Sequence, residues 1–110
     1  MSSGNDKIIE TKIGIIDCTE VERIIARLDG VAQVAVIGIP HARFGEAVHA
    51  IVVPYADRKI TASEVLSICH DRIAGYKCPR SVTIRTEPLP RSPSGEIMRA
   101  ALKRPYWQSL

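Results

Sequence analysis

Two runs rich in β-branched residues, Val31 to Ile39 and Glu46 to Val53, flank the short polar segment His41 to Gly45, and prolines close both, at Pro40 and Pro54. Branching at Cβ favours the extended backbone. A connection of this length suits a hairpin, and a proline ends a strand because it cannot donate to the ladder. An antiparallel pair is therefore predicted at the centre of the chain, and the flanking segments must cover it.

Those segments read as helices with one further strand. Thr19-Glu20-Val21-Glu22 has the form of a capping box, in which Thr19 caps and Glu22 reaches back. Val21, Ile24, Ile25 and Leu28 then recur at helical spacing, and Gly30 provides the stop. A second box, Thr61-Ala62-Ser63-Glu64, opens a helix with Val65, Ile68, Cys69 and Ile73 on its buried stripe and Gly75 at its end. Ser81 to Thr86 reads as a third strand, broken by Pro88-Leu89-Pro90. Arg91 to Gly95 is then an irregular loop, and Ile97 to Lys103 a short last helix terminated by Pro105. This order predicts an α+β fold: a small sheet of about three strands with helices packed on it, with room for a short hairpin at the N-terminus.

The chain has 110 residues, enough for one domain, and its 45% hydrophobic and 25% charged content argues against overall disorder. No apolar run approaches the ~20 residues that span a bilayer. Met1 to Asp6 lacks the basic and apolar regions of a signal peptide and reads as a flexible start. Cys18, Cys69 and Cys78 form no CxxC pair, which points to reduced thiols in a cytoplasmic protein. His41, His49 and His70 lack metal-ligand spacing, so no metal site is predicted; His41 and His49 read as turn and sheet packing.

Charge is uneven. Between Lys77 and Arg104 stand Lys77, Arg80, Arg85, Arg91, Arg99, Lys103 and Arg104, against Glu87 and Glu96. Such a block suits an anionic partner or a solvated surface equally well. Few aromatics interleave with it, Tyr76 before and Tyr106 and Trp107 after, which counts against a nucleic-acid-binding domain. Tyr106 and Trp107 read instead as cover for the domain's own core or for a partner surface.

Three segments carry a family likeness. Val34 to Val48 (VAVIGIPHARFGEAV), Gly75 to Pro79 (GYKCP) and Leu89 to Arg99 (LPRSPSGEIMR) resemble, in order, the signatures of the C-terminal domain of AMP-forming synthetases. Acyl- and aryl-CoA synthetases, luciferases and adenylation domains make up that family. The likeness covers Glu20 to Lys103. It implies a lid domain over residues 20–110, preceded by a flexible start and hinge-like segment over 1–19, where Asp6-Lys7-Ile8-Ile9-Glu10 resembles the family's hinge.

The resemblance also implies a partner: a large N-terminal adenylation domain that binds ATP and a carboxylic acid, with Mg2+ in that domain. The lid supplies a lysine for acyl-adenylate formation, then rotates and guides CoA to the adenylate. ATP and CoA are thus substrates of the complete enzyme, and none is expected to bind this chain alone. With no glycine-rich phosphate loop of its own, the isolated chain is predicted to be inactive.

By the same likeness the residues near the CoA nucleotide are Gly75, Tyr76, Lys77, Arg80 and Ser81. The position of the family lysine is occupied by Glu96, a reversal of charge. Glu96 is expected at the start of the last helix, where a carboxylate complements the helix dipole. Lys103, about two helical turns on, is too far along the helix to substitute. Arg99, the closing arginine of the motif, is expected in a structural salt bridge. The alternatives to a ligase lid are a standalone regulatory or interaction module descended from it, which Glu96 favours, and the nucleic-acid-binding domain weighed above.

Overall fold

The computed structural model describes residues 7–108. Strands β1 (Ile8–Thr11) and β2 (Gly14–Asp17) form an antiparallel hairpin. Helix α1 (Cys18–Ala26) leads into β3 (Val31–His41) and β4 (Gly45–Pro54), the predicted antiparallel pair. Helix α2 (Ala62–Arg72), a 3₁₀ turn (Gly75–Lys77), β5 (Ser81–Ile84) and helix α3 (Arg99–Gln108) follow. The main sheet has the order β3-β4-β5, and β5 runs parallel to β4.

Successive residues of a strand face opposite sides, and here both sides are covered. Val34, Val36, Val48, Ala50 and Val52 pack with Ile9 and Ile16 of the hairpin, Val21 and Ile25 of α1, and Val65 and Cys69 of α2. Ala35, Ile37, Ile51 and Val53 point the other way, toward Leu89 and Leu102 of α3. Burial on both faces explains why these runs are almost continuously apolar. The hairpin is part of the first core: Ile9 is 1% exposed and Ile16 is fully buried. Residues 7–17, read from sequence as flexible start and hinge-like segment, are thus ordered structure. Asp6 of that motif lies outside the described residues.

The chain departs from expectation at several element ends. Helix α1 starts one residue before Thr19, and its cap is Asp17, whose Oδ1 accepts from the Thr19 amide at 2.9 Å. Glu22 does not reach back; it faces the sheet. Gly75 does not end α2, whose last helical residue is Arg72, but opens the 3₁₀ turn. The third strand stops at Ile84 rather than Thr86.

The last helix starts at Arg99, because Ile97 is held in a β-bridge to Arg91. It then continues through Pro105 instead of ending before it. A proline ring fits helical φ but has no N–H to donate, so the turn around it gains less from the backbone. Side chains hold that turn. The indole Nε1 of Trp107 donates to the Gly38 carbonyl at 3.0 Å, and the Tyr106 hydroxyl lies 3.2 Å from His49 Nε2. The second capping box is present as read, with Thr61 and Glu64 bonded reciprocally.

Candidate functional site

The 75–81 segment lies where three chain reversals meet. A 3₁₀ turn over Gly75–Lys77 links α2 to β5, and the Arg80 amide donates to the Val48 carbonyl at 2.8 Å, fixing the entry to β5. The Tyr76 ring lies against Gly14, at the start of β2. A Cβ on Gly14 would sit 2.7 Å from Tyr76 Cε2, so this approach requires glycine. Lys77 Nζ is 3.2 Å from Glu20 Oε1 in the first turn of α1. The Arg80 guanidinium stands 4.2 Å from the centre of the Phe44 ring, which stacks on His41 at 4.7 Å. The Lys12 amide donates to the Phe44 carbonyl at 3.1 Å, joining the tips of the two hairpins.

Around this segment Tyr76 packs on the first hairpin, Lys77 on α1 and Arg80 on the β3–β4 turn, and Gly75 opens onto free space. Ser81 is directed elsewhere. Its Oγ turns to His49 Nδ1 at 2.6 Å, which makes it part of the sheet's packing. Lys12 and Phe44 join the site without having been singled out. Phe44 lies inside the Val34–Val48 segment, so the signal was present; Lys12 could be placed only by folding the first hairpin. The surface is cationic but already partly neutralised, since Glu20 offsets Lys77 and Arg80 is spread over an aromatic ring. An anion there gains contacts at a cost to existing ones.

Glu96 sits in a different loop. The Ser92 amide donates to the Glu96 carbonyl at 2.8 Å, the Gly95 amide to the Ser92 carbonyl at 2.8 Å, and Arg91 Nη1 to the Gly95 carbonyl at 2.8 Å. Gly95, at φ 92°, makes the reversal. This tight loop ends before α3 begins, so Glu96 lies outside the first helical turn and the expected help from the helix dipole does not apply. Its side chain is 71% exposed, with Lys7 Nζ at 3.9 Å, a weak pair. Glu96 thus closes the loop with its side chain exposed. Lys103 lies on α3, its ammonium 5.9 Å from the Trp107 ring centre.

Beneath the loop, Arg99 forms the expected salt bridge. Its Nη2 lies 2.6 Å from Glu22 Oε1 and its Nε 3.1 Å from Oε2; Arg99 is buried and the Glu22 side chain is 13% exposed. The same carboxylate accepts from the Val36 amide at 2.8 Å. One acidic residue therefore ties α1, the edge strand β3 and the base of the Glu96 loop together.

Cys18, Cys69 and Cys78 are all buried. Burial pushes the Cys18 thiol up to about 12 and Cys69 up to about 11, so neither serves as a thiolate nucleophile. Among the described residues no group of three or more His, Cys, Asp or Glu is placed to hold a metal ion. No helix among them is long and apolar enough to cross a membrane.

Comparison with known proteins shows the family. The sequence model described as the AMP-binding enzyme C-terminal domain matches residues 20–96. This chain belongs to that family. A Rhodococcus jostii relative, 3-[(3aS,4S,7aS)-7a-methyl-1,5-dioxo-octahydro-1H-inden-4-yl]propanoyl:CoA ligase, is 45% identical over 84 residues, which is 76% of this chain and 16% of the ligase. A long-chain-fatty-acid–CoA ligase of Mycobacterium tuberculosis is 40% identical over 88 residues, 79% of this chain and 17% of that protein. ATP-bound MatB from Rhodopseudomonas palustris superposes with a TM-score of 0.85 at 33% identity, over 92% of this chain and 20% of MatB. The family's C-terminal domain is thus an α+β unit of the architecture described above. The chain spans about a sixth of the curated relatives it matches. The matched span takes in the 75–81 surface and ends at Glu96.

Proposed function

We propose that this chain is the mobile lid of an AMP-forming acyl-CoA ligase, spanning residues 20–110 and working against a large N-terminal adenylation domain through a hinge near residues 6–10. In the complete enzyme a carboxylic acid and ATP give an acyl-adenylate and pyrophosphate. The thiol of CoA then displaces AMP and leaves the acyl thioester. Mg2+, needed with ATP, belongs to the large domain in this reading.

The observation that carries the proposal is the family match over residues 20–96, laid on a fold that places the 75–80 segment and the Glu96 loop on different elements. The first carries Gly75, Tyr76, Lys77 and Arg80 with Lys12 and Phe44, in this reading a half-site for the phosphates and base of CoA. The second carries position 96. A carboxylate attacking a phosphate must overcome repulsion between anions, and a positioned cation stabilises the charge that develops. Glu96 supplies the opposite charge, and loss of one such group costs ~3–4 kcal/mol of transition-state stabilisation. Adenylation is therefore the weakened step in this reading.

Glu96 also supports a second reading, in which the domain has given up catalysis and kept a partner-binding surface. The nucleic-acid reading loses ground, because Lys77, Arg85 and Arg99 are each committed to carboxylates or carbonyls of the domain itself.

One experiment tests the proposal on the isolated chain. CoA is titrated by calorimetry at low and high salt, alongside an assay of pyrophosphate release with ATP and a panel of acids. The expected outcome is no pyrophosphate above a protein-free control, with CoA binding at millimolar Kd or weaker, ~4 kcal/mol or less, declining with salt. Micromolar, salt-insensitive CoA binding would point to a dedicated binding module instead.

A further inference from the structure

His49 stands in the middle of β4 and is 4% exposed, on the face covered by α3. Both ring nitrogens have partners, and all are hydroxyls. Nδ1 lies 2.6 Å from Ser81 Oγ; Nε2 lies 2.9 Å from Thr83 Oγ1 and 3.2 Å from the Tyr106 hydroxyl. The Tyr106 ring packs on the imidazole with centres 5.2 Å apart. Two of these hydroxyls come from β5 and one from the last turn of α3. The neighbouring strand β3 contributes Ile37 opposite His49.

Among the described residues no carboxylate pairs with this imidazole. No charged side chain among them bonds to the ring either: Arg80, one residue before Ser81, has its guanidinium on Phe44, and Lys103 of α3 has its ammonium over Trp107. A protonated ring would keep hydroxyl partners as acceptors, yet it would be a buried charge without a counter-ion. Burial accordingly holds the imidazole below its ordinary value of 6.5.

A buried imidazolium gains water by displacing whichever cover is held least firmly. Strand β5 is bonded along β4 in continuous parallel register, from Ser81 opposite His49 to Ile84 opposite Val52. The end of α3 is different. Pro105 contributes no amide to the helix, and the turn beyond it is fastened by the Tyr106–His49 contact and the Trp107–Gly38 bond. We propose that His49 makes the last turn of α3 a pH-operated latch. It is closed on the sheet while the imidazole is neutral, and it is released, with Tyr106 and Trp107 leaving the sheet, when the ring takes up a proton.

The direction follows from linkage. Above about 6.5 the ring is neutral in both the closed and the open turn, and closure is at full strength. As pH falls from there toward the lowered value of the buried ring, the open turn binds the proton and closure weakens. One proton shifts the opening equilibrium about tenfold per pH unit across that window.

Trp107 is the single tryptophan of the chain, so its fluorescence reports on this turn directly. The test follows that emission and the amide exchange of residues 106–108, corrected for intrinsic rates, on the full chain from pH 8 to 5. The expected result is a roughly tenfold loss of protection per pH unit below 6.5 at the end of α3, while β3 and β4 amides stay protected. In His49→Gln, which keeps polar atoms but takes up no proton, the pH dependence should vanish; in His70→Gln it should persist. A His49→Gln protein that follows the wild-type curve overturns the proposal, as does simultaneous loss of protection in the sheet and in α3. Should His49→Gln fail to fold, NMR titration of the wild-type decides. The His49 ring and the Trp107 indole N–H should share one midpoint below 6.5. Two separate midpoints would overturn the latch.

Discussion

Glu22 serves three elements at once, and the cost of disturbing it falls on all three. Its carboxylate is largely buried against Arg99 and accepts the Val36 amide, so removing the guanidinium leaves a mostly desolvated charge with one neutral donor. Arg99→Met is expected to lower unfolding free energy by ~3–5 kcal/mol in urea denaturation. The double change Glu22→Met with Arg99→Met should cost clearly less than Arg99→Met alone, because no stranded charge remains. Equal losses would mean the pair is not coupled. The sequence announced half of this contact. Arg99 was legible as a structural arginine from the motif it closes. Its partner was not, since Glu22 sits three residues after Thr19 and so imitates a capping box. A contact between residues 77 apart leaves no trace in local spacing.

At the scale of elements, the true start of α1 gives a sharp test. Asp17 Oδ1 takes both the amide and the hydroxyl of Thr19, and these bonds hold the Asp17 carboxyl below the usual carboxylate range. Asp17→Ala should therefore cost ~0.5–2 kcal/mol in thermal or urea unfolding, and Thr19→Ala markedly less. The reverse order would restore Thr19 as the cap. What was legible at this scale was whatever is written locally. The β-branched runs gave the central hairpin, although β3 runs on through Pro40 to His41, and Thr61 with Glu64 gave α2 its start. The parallel docking of β5 on β4 and the passage of α3 through Pro105 were not, because both depend on surfaces formed elsewhere. Trp107 and Tyr106 override the proline only by meeting Gly38 and His49 across the fold.

At the scale of the whole molecule, the two candidate faces divide the work of the proposed lid. Tyr76, Lys77 and Arg80 meet the first hairpin, α1 and the β3–β4 turn, Ser81 is turned inward to His49, and Glu96 stands on its own loop. Sequence motifs proposed both surfaces, but local spacing could not place the tips of the two hairpins beside the first. Separation of the faces makes a definite claim: the two half-reactions should respond independently to change. The most direct measurement replaces the C-terminal domain of a competent acyl-CoA ligase with this chain and follows each half-reaction alone. The account predicts slow acyl-adenylate formation with Glu96 in place. Glu96→Lys should raise that rate by ~10²–10³-fold, with transfer from presynthesised adenylate to CoA unchanged and folding stability shifted by no more than ~0.5 kcal/mol. Adenylation at the parent enzyme's rate with Glu96 in place, or an equal response of both steps to the substitution, would contradict it.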